Sequence, residues 1–208
     1  MSTSGELRSL RNAVVVPRRE LSIDLANTVV WRGSAPADSL HGLHGVLAWL
    51  TSVKVMPVRA GAELGKWFEA RPAVSAAVFS EAIEIREMIY RLLHSVAAES
   101  AAASEDIRRL NRSLGEAAPR TNLERVDSGF GWRAEVKPSA AGILAPALWS
   151  LADILAGPDR AHVRECANDR CLWLFLDDSK NGSRRWCSME SCGNRAKARR
   201  HYLRERGR

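Results

Sequence analysis

The stretch CANDRCLWLFLDDSKNGSRRWCSMESCGNR, residues 166–195, holds all four cysteines of a 208-residue chain. They fall as Cys166-x4-Cys171 and Cys187-x4-Cys192, with fifteen residues between the pairs. Two close pairs joined by a segment long enough to fold back can supply the four corners of a tetrahedral thiolate site. The joining segment suits that return. It reads as an apolar β-prone run from Leu172 to Leu176, a hairpin turn at Asn181-Gly182 and a second short strand ending at Trp186. Strong helix formers follow Gly193, so the second pair sits on a turn opening into a helix. Two disulfides would also use the four thiols. The paired spacing and the absence of a secretory leader favour one structural Zn2+ on Cys166, Cys171, Cys187 and Cys192. All four corners are then protein ligands, and none is left to activate water.

Charge crowds around the same cysteines. From Lys180 to Arg208 there are ten Lys/Arg against two acids, Glu190 and Glu205, a local balance of +8. The whole chain carries +7, so the rest of it carries −1. Zinc with four thiolates is formally −2, and Arg184, Arg185 and Arg195 are near enough in sequence to compensate it. The remaining cations continue along the terminal helix. Self-repulsion on such a helix is relieved by a polyanion, so Arg184, Arg185, Arg195, Lys197, Arg199, Arg200 and Arg204 are the predicted nucleic-acid-binding residues. An exposed solvated helix, an acidic protein partner and RNA fit the same residues. Ala196, Tyr202 and Leu203 are expected to pack on the hairpin, and Trp173 and Trp186 to fill the finger core.

The first ~155 residues read as mainly helical. LSIDLAN (21–27) alternates like a short strand, with Leu21, Ile23 and Leu25 on one face. Ser39 is placed to cap a helix carrying Leu40, Leu43, Leu47 and Leu50, and residues 58–70 form a weaker helix with Trp67 and Phe68. The strongest pattern runs over 73–99, with Val74, Val78, Ala82, Ile85, Ile89, Leu92 and Val96 at three- and four-residue spacing. Ser104 caps a further helix with Ile107, Leu110 and Leu114 inward. Two short strands over 123–136 meet at Asp127-Ser128-Gly129. An apolar helix over 141–155 has Pro146 in its first turn or at a kink, and AGPD (156–159) ends it. The fold class is therefore α+β, mainly α: a helical N-terminal domain with a few short strands over 1–157, and a treble-clef-like zinc finger over 158–208.

Asp24, Asn27 and Thr28, with Trp31 just beyond, could line a small-ligand pocket or cap and satisfy local backbone. His41, His44 and His94 are scattered and suit surface or interhelical positions. The sequence offers no P-loop, dinucleotide fingerprint, G-x-S-x-G or H-E-x-x-H, and no nucleophile–base pair, so an enzyme is not expected. No apolar stretch approaches the ~20 residues that span a bilayer, which places the protein in the cytoplasm and away from membranes.

Residues 166–204, ending AKARRHYLR, closely resemble the CGNR zinc finger, whose name is spelled by Cys192-Gly193-Asn194-Arg195. Upstream, LSIDLANTVVWRG (21–33), LHGVLAWL (43–50) and EAIEIREMIYRLLHS (81–95) resemble the ABATE domain that precedes this finger in bacterial proteins. The resemblance implies a stress-linked bacterial transcription regulator, bound to duplex DNA on the nucleoid. The first domain is expected to sense an effector or form a homodimer.

Overall fold

The computed structural model describes residues 13–16, 18–126 and 129–206. The Asp127-Ser128 part of the turn expected from sequence lies outside them. The chain begins with β1 (Ala13–Val15), α1 (Leu21–Ala26), β2 (Val29–Val30) and β3 (Ala37–Asp38). α2 (Gly42–Ser52), α3 (Val58–Glu69), α4 (Pro72–Ala97) and α5 (Ser104–Glu116) follow. Next come β4 (Asn122–Val126), β5 (Gly129–Ala134), α6 (Ala140–Ile143) and α7 (Ala145–Ala156). The C-terminal part adds β6 (Val163–Glu165), β7 (Leu174–Leu176) and α8 (Asn194–Arg206). The strands form three small antiparallel sheets, ordered β1-β5-β4, β2-β3 and β6-β7, so the architecture is mainly helical.

α4 is the spine. Its 26 residues give a rod about 39 Å long. Ala82, Ile85, Met88, Ile89, Leu92 and Leu93 are buried along it, against α1, α2, α3, α5 and α6. Pro72 opens the helix where no intrahelical amide partner is required.

Three local expectations are corrected, and a fourth, a kink or first turn at Pro146, is met. LSIDLAN is the helix α1, not a strand: Leu21, Ser22, Ile23, Leu25 and Ala26 are all buried, so alternation did not mark one face. The buried Ser22 amide and Ser22 hydroxyl both meet Ser150 Oγ at 3.1 Å, which satisfies polar groups a helix turn leaves in the core. Ser39 caps nothing; its hydroxyl donates to Thr28 O, and α2 starts after His41 and at Gly42, whose φ of 69° glycine adopts without strain. Ser104 is likewise inside α5, preceded by Ala103 without a side-chain cap. The apolar helix near 141–155 is broken into α6 and α7 at Leu144, with Pro146 in the first turn of α7. That outcome follows from the ring, which leaves the preceding residues without a continuous helical ladder.

The C-terminal hairpin belongs to this body. Val163, Leu174 and Leu176 lie in the same buried cluster as the helical core, against α4 and α1. Asn27 straps it from α1, donating Nδ2 to Leu174 O at 2.8 Å and accepting from Leu174 N at 3.0 Å. Trp173 Nε1 donates to Val29 O at 2.9 Å.

Candidate zinc centre and nucleic-acid interface

β6 and β7 are antiparallel, with Val163 opposite Leu176 and Glu165 opposite Leu174. The Cys166 amide donates to Trp173 O at 2.8 Å, extending the ladder to the base of the loop between them. That loop is the first cysteine knuckle, closed by the Cys171 amide on Asn168 O at 2.8 Å. Leu172, just after it, takes a φ of 57°, a left-handed conformation that an L-leucine holds only under tight surroundings. The hairpin thus lies around the first cysteine pair, not between the pairs as expected from Asn181-Gly182. Gly182 does turn, at φ 57°, with its amide on Ser179 O. The returning stretch forms no strand; the Ala167 amide on Arg185 O, 2.8 Å, ties it back. The buried Asp177 carboxylate organises the return instead, accepting from Ser179 N, Ser179 Oγ and Arg184 N at 2.9, 2.6 and 2.9 Å.

Of the second pair, Cys187 precedes and Cys192 lies within a short π-helical turn, Met189–Gly193, that runs into α8. All four sulfurs lie within 4.8 Å of one another. Cys171 and Cys187 Sγ are 3.7 Å apart, and Cys187 and Cys192 Sγ 3.8 Å. Zn–S bonds of about 2.3 Å in a tetrahedron require edges of about 3.8 Å, so the cluster fits one Zn2+. A disulfide would bring two sulfurs to about 2.05 Å, and the four thiols are free. Backbone amides of Asn168 and Cys187 reach Cys166, that of Trp173 reaches Cys171, and Asn168 Nδ2 donates to Cys192 Sγ at 3.3 Å. Donors aimed at sulfur suit thiolates. Hydrogen bonds from Cys171 and Cys187 hold the Cys166 thiol well below its usual range. Cys171 and Cys187 are pushed up, because each donates to Cys166. A divalent cation removes that competition by accepting all four as thiolates.

Beside the zinc centre lies a cleft of about 1260 Å³. Arg195, Arg199 and Arg200 of α8 line it together with Arg170, Arg185, Trp186 and Trp31, with Asp169 as an acid on its wall. Of the predicted nucleic-acid residues, Arg185, Arg195, Arg199 and Arg200 therefore converge. Lys197 and Arg204 are exposed on α8 outside this lining. Arg184 is turned to structure: its guanidinium lies 4.4 Å from the Phe175 ring centroid and donates to Trp186 O and Cys187 O. Arg170 was missed by sequence reasoning, because the knuckle loop carries no helical pattern. α8 buries none of its residues, and Tyr202 and Leu203 are more than half exposed rather than packed on the hairpin. The hairpin's apolar side is already taken by α4.

The structure does not assemble Asp24, Asn27, Thr28 and Trp31 into a ligand pocket. Asp24 pairs with Arg18 at 2.9 Å, Asn27 straps β7, and Thr28 Oγ1 donates to Leu25 O at 2.7 Å while accepting from Arg86. Trp31 alone reaches the cleft. His94 Nδ1 lies 2.7 Å from Glu165 Oε2, joining α4 to the hairpin. Trp173 and Trp186 pack beside the buried cysteines, as expected for finger-core residues.

A close crossing locks the two parts together. The Gly33 amide donates to Arg170 O at 3.3 Å, and a Cβ on Gly33 would stand 1.8 Å from Asp169 O. Backbone faces backbone there, so the clash cannot be relieved by rotating a side chain. Gly33→Ala is expected to cost about 1–3 kcal/mol of stability, read as a lower denaturation midpoint. An unchanged midpoint would show that the crossing opens freely.

A helical body continuous with a four-cysteine finger, beside a cleft lined by several arginines, defines a protein built to hold one structural zinc ion. Among protein families, the model described as "Putative stress-induced transcription regulator" (ABATE) matches residues 19–158, and that of the CGNR zinc finger matches 162–205. The chain belongs to the ABATE family and carries a CGNR zinc finger. Comparison with curated proteins gives no match. Among the described residues, no helix is long and apolar enough to cross a membrane.

Proposed function

We propose that the protein is a transcription regulator that binds duplex DNA through the cleft-facing side of α8 and the knuckle. The carrying observation is the convergence of Arg170, Arg185, Arg195, Arg199 and Arg200 around one cleft, beside a helix that buries nothing. A 13-residue helix is marginal alone in water. Docked in a major groove, α8 gains a partner surface, and the arginines beside it meet the flanking phosphates. In this reading residues 158–208 are the docking finger. Residues 1–157 set its orientation and form the part that senses an effector or pairs two copies.

The test is titration of zinc-loaded protein with duplex DNA at rising salt. About five phosphate contacts give a log–log slope near −4.5. Arg199→Ala with Arg200→Ala is expected to reduce the slope by about two, with zinc content and helicity retained. A flat salt response would sink the proposal. Competition by single-stranded RNA or an acidic polypeptide that outmatches duplex DNA would reassign the partner. Selection from random duplex DNA would show a palindromic motif if two copies pair on it.

A further inference from the structure

Part of the wall of the cleft, Trp31, Ser34 and Ala35, comes from the ABATE region, and several unrelated contacts hold it in place. Trp31 takes a φ of 57°. For a bulky aromatic residue that is a true outlier, kept only where the surroundings over-determine it. The next residue supplies part of that constraint: Arg32 is fixed by Glu87 at 2.7 Å and by Ala26 O at 3.0 Å, with its guanidinium 4.0 Å from the Tyr90 ring centroid. Gly33 is pinned against Asp169 and Arg170 as described above, and the Ser34 amide closes the turn on Trp31 O at 3.0 Å. The indole so held packs against the buried cysteines, and the Arg195 guanidinium lies 4.3 Å from its ring centroid.

An exposed arginine carries about 2 kcal/mol of rotamer entropy, which it must lose on gripping a phosphate or a base edge. Stacking on an immobile indole removes part of that loss in advance. We infer that Trp31 is a positioning residue of the nucleic-acid site, which holds Arg195 in the cleft so that the polyanion-binding surface is shared between the ABATE region and the finger. The inference rests on the DNA-binding reading and adds to it: affinity depends on the packing of the segment 31–34. Loosening of that segment weakens DNA binding by freeing Arg195.

The experiment uses the full zinc-loaded chain and its Trp31→Ala, Trp31→Leu, Arg195→Ala and Trp31→Ala/Arg195→Ala variants. Binding to a duplex of random sequence is measured between about 50 and about 200 mM salt, where phosphate contacts dominate. Arg195→Ala is expected to weaken binding about tenfold and to reduce the salt slope by about one. Trp31→Ala is expected to weaken binding several-fold at every salt concentration with a slope close to wild type, because it frees Arg195 without removing its charge. The double variant should match Arg195→Ala rather than add to it. Trp31→Leu keeps an apolar group against the cysteines but offers no π-face. It is expected to bind several-fold more weakly than wild type with zinc retained, and it decides the matter if Trp31→Ala loses its metal. Wild-type affinity in Trp31→Leu, or additive losses in the double variant, overturns the inference while leaving DNA binding intact. A wild-type chain whose binding ignores salt overturns both.

Discussion

Stripping zinc with a strong chelator, or replacing Cys171 by alanine, should release residues 187–206 while leaving most of the helical body folded. Structural zinc contributes about 10–16 kcal/mol of apparent free energy in small fingers, as much as the whole stability of an ordinary domain. Here the loss should be partitioned. Val163, Leu174 and Leu176 belong to the main core, and Asn27 bonds both backbone groups of Leu174, so β6 and β7 have support that does not depend on metal. The π-turn and α8 lack it. Cys192 and Gly193 are buried, Cys192 accepting from Asn168 of the knuckle, and none of the α8 residues is buried. Without a cation, four sulfurs within 4.8 Å must keep protons on most of them, and the cluster loses its reason to stay closed. The expected result is a loss of helicity corresponding to the 13 residues of α8. Amide exchange should rise at 187–206 and stay slow along α4. DNA binding should vanish together with α8. Exchange unchanged at 187–206 after verified zinc removal would show that the finger is held by packing alone.

What the sequence made legible depended on how local the deciding interaction was. The cysteine spacing announced the metal centre because four thiols in two pairs admit few arrangements, and α4 was readable because its apolar stripe runs for seven turns. α1 was misread because six residues buried on nearly every side carry no periodicity at all. The hairpin was displaced for a related reason. Asn181-Gly182 is a true turn, yet the partner of β7 is β6, chosen by register across the knuckle and by the core beneath it. Arg170 and Trp31 were invisible as partners in one cleft, since only the tertiary crossing of Gly33 over Asp169 brings residues 139 positions apart together. Neutral composition over the first 157 residues gave no sign that this region would supply a wall of a cationic site.

Arg86→Ala is expected to be the most damaging substitution away from the zinc. The Arg86 side chain is 3 % exposed, inside the face of α4 that meets α1 and β3. Its two terminal nitrogens bond Asp38 at 2.7 and 2.8 Å, Nη1 also reaches Thr28 Oγ1 at 3.2 Å, and Nε reaches Glu87 at 2.9 Å. A planar fork satisfied on all sides is tolerated in a core; its removal leaves two carboxylates partly desolvated and a cavity the size of the side chain. Truncating one partner of such a network costs about 3–5 kcal/mol, to be read from urea or guanidinium unfolding. Arg86→Lys, which keeps charge but loses the bidentate geometry, should fall between the two. Acid separates the electrostatic part from the cavity. Burial opposes ionisation of Asp38 and Glu87, but Arg86 holds the Asp38 carboxyl, and Arg32 with Arg86 the Glu87 carboxyl, below the usual range. A depressed carboxylate contributes stability that is present above its unfolded pKa, about 4, and is lost as pH falls through the folded value. The wild type should therefore lose stability steeply below about pH 4. In Arg86→Ala, Asp38 has no such partner to lose, so the gap between the two proteins should narrow on acidification, and what persists at low pH measures the cavity. A gap that stays constant with pH would mean that the guanidinium serves only to fill space.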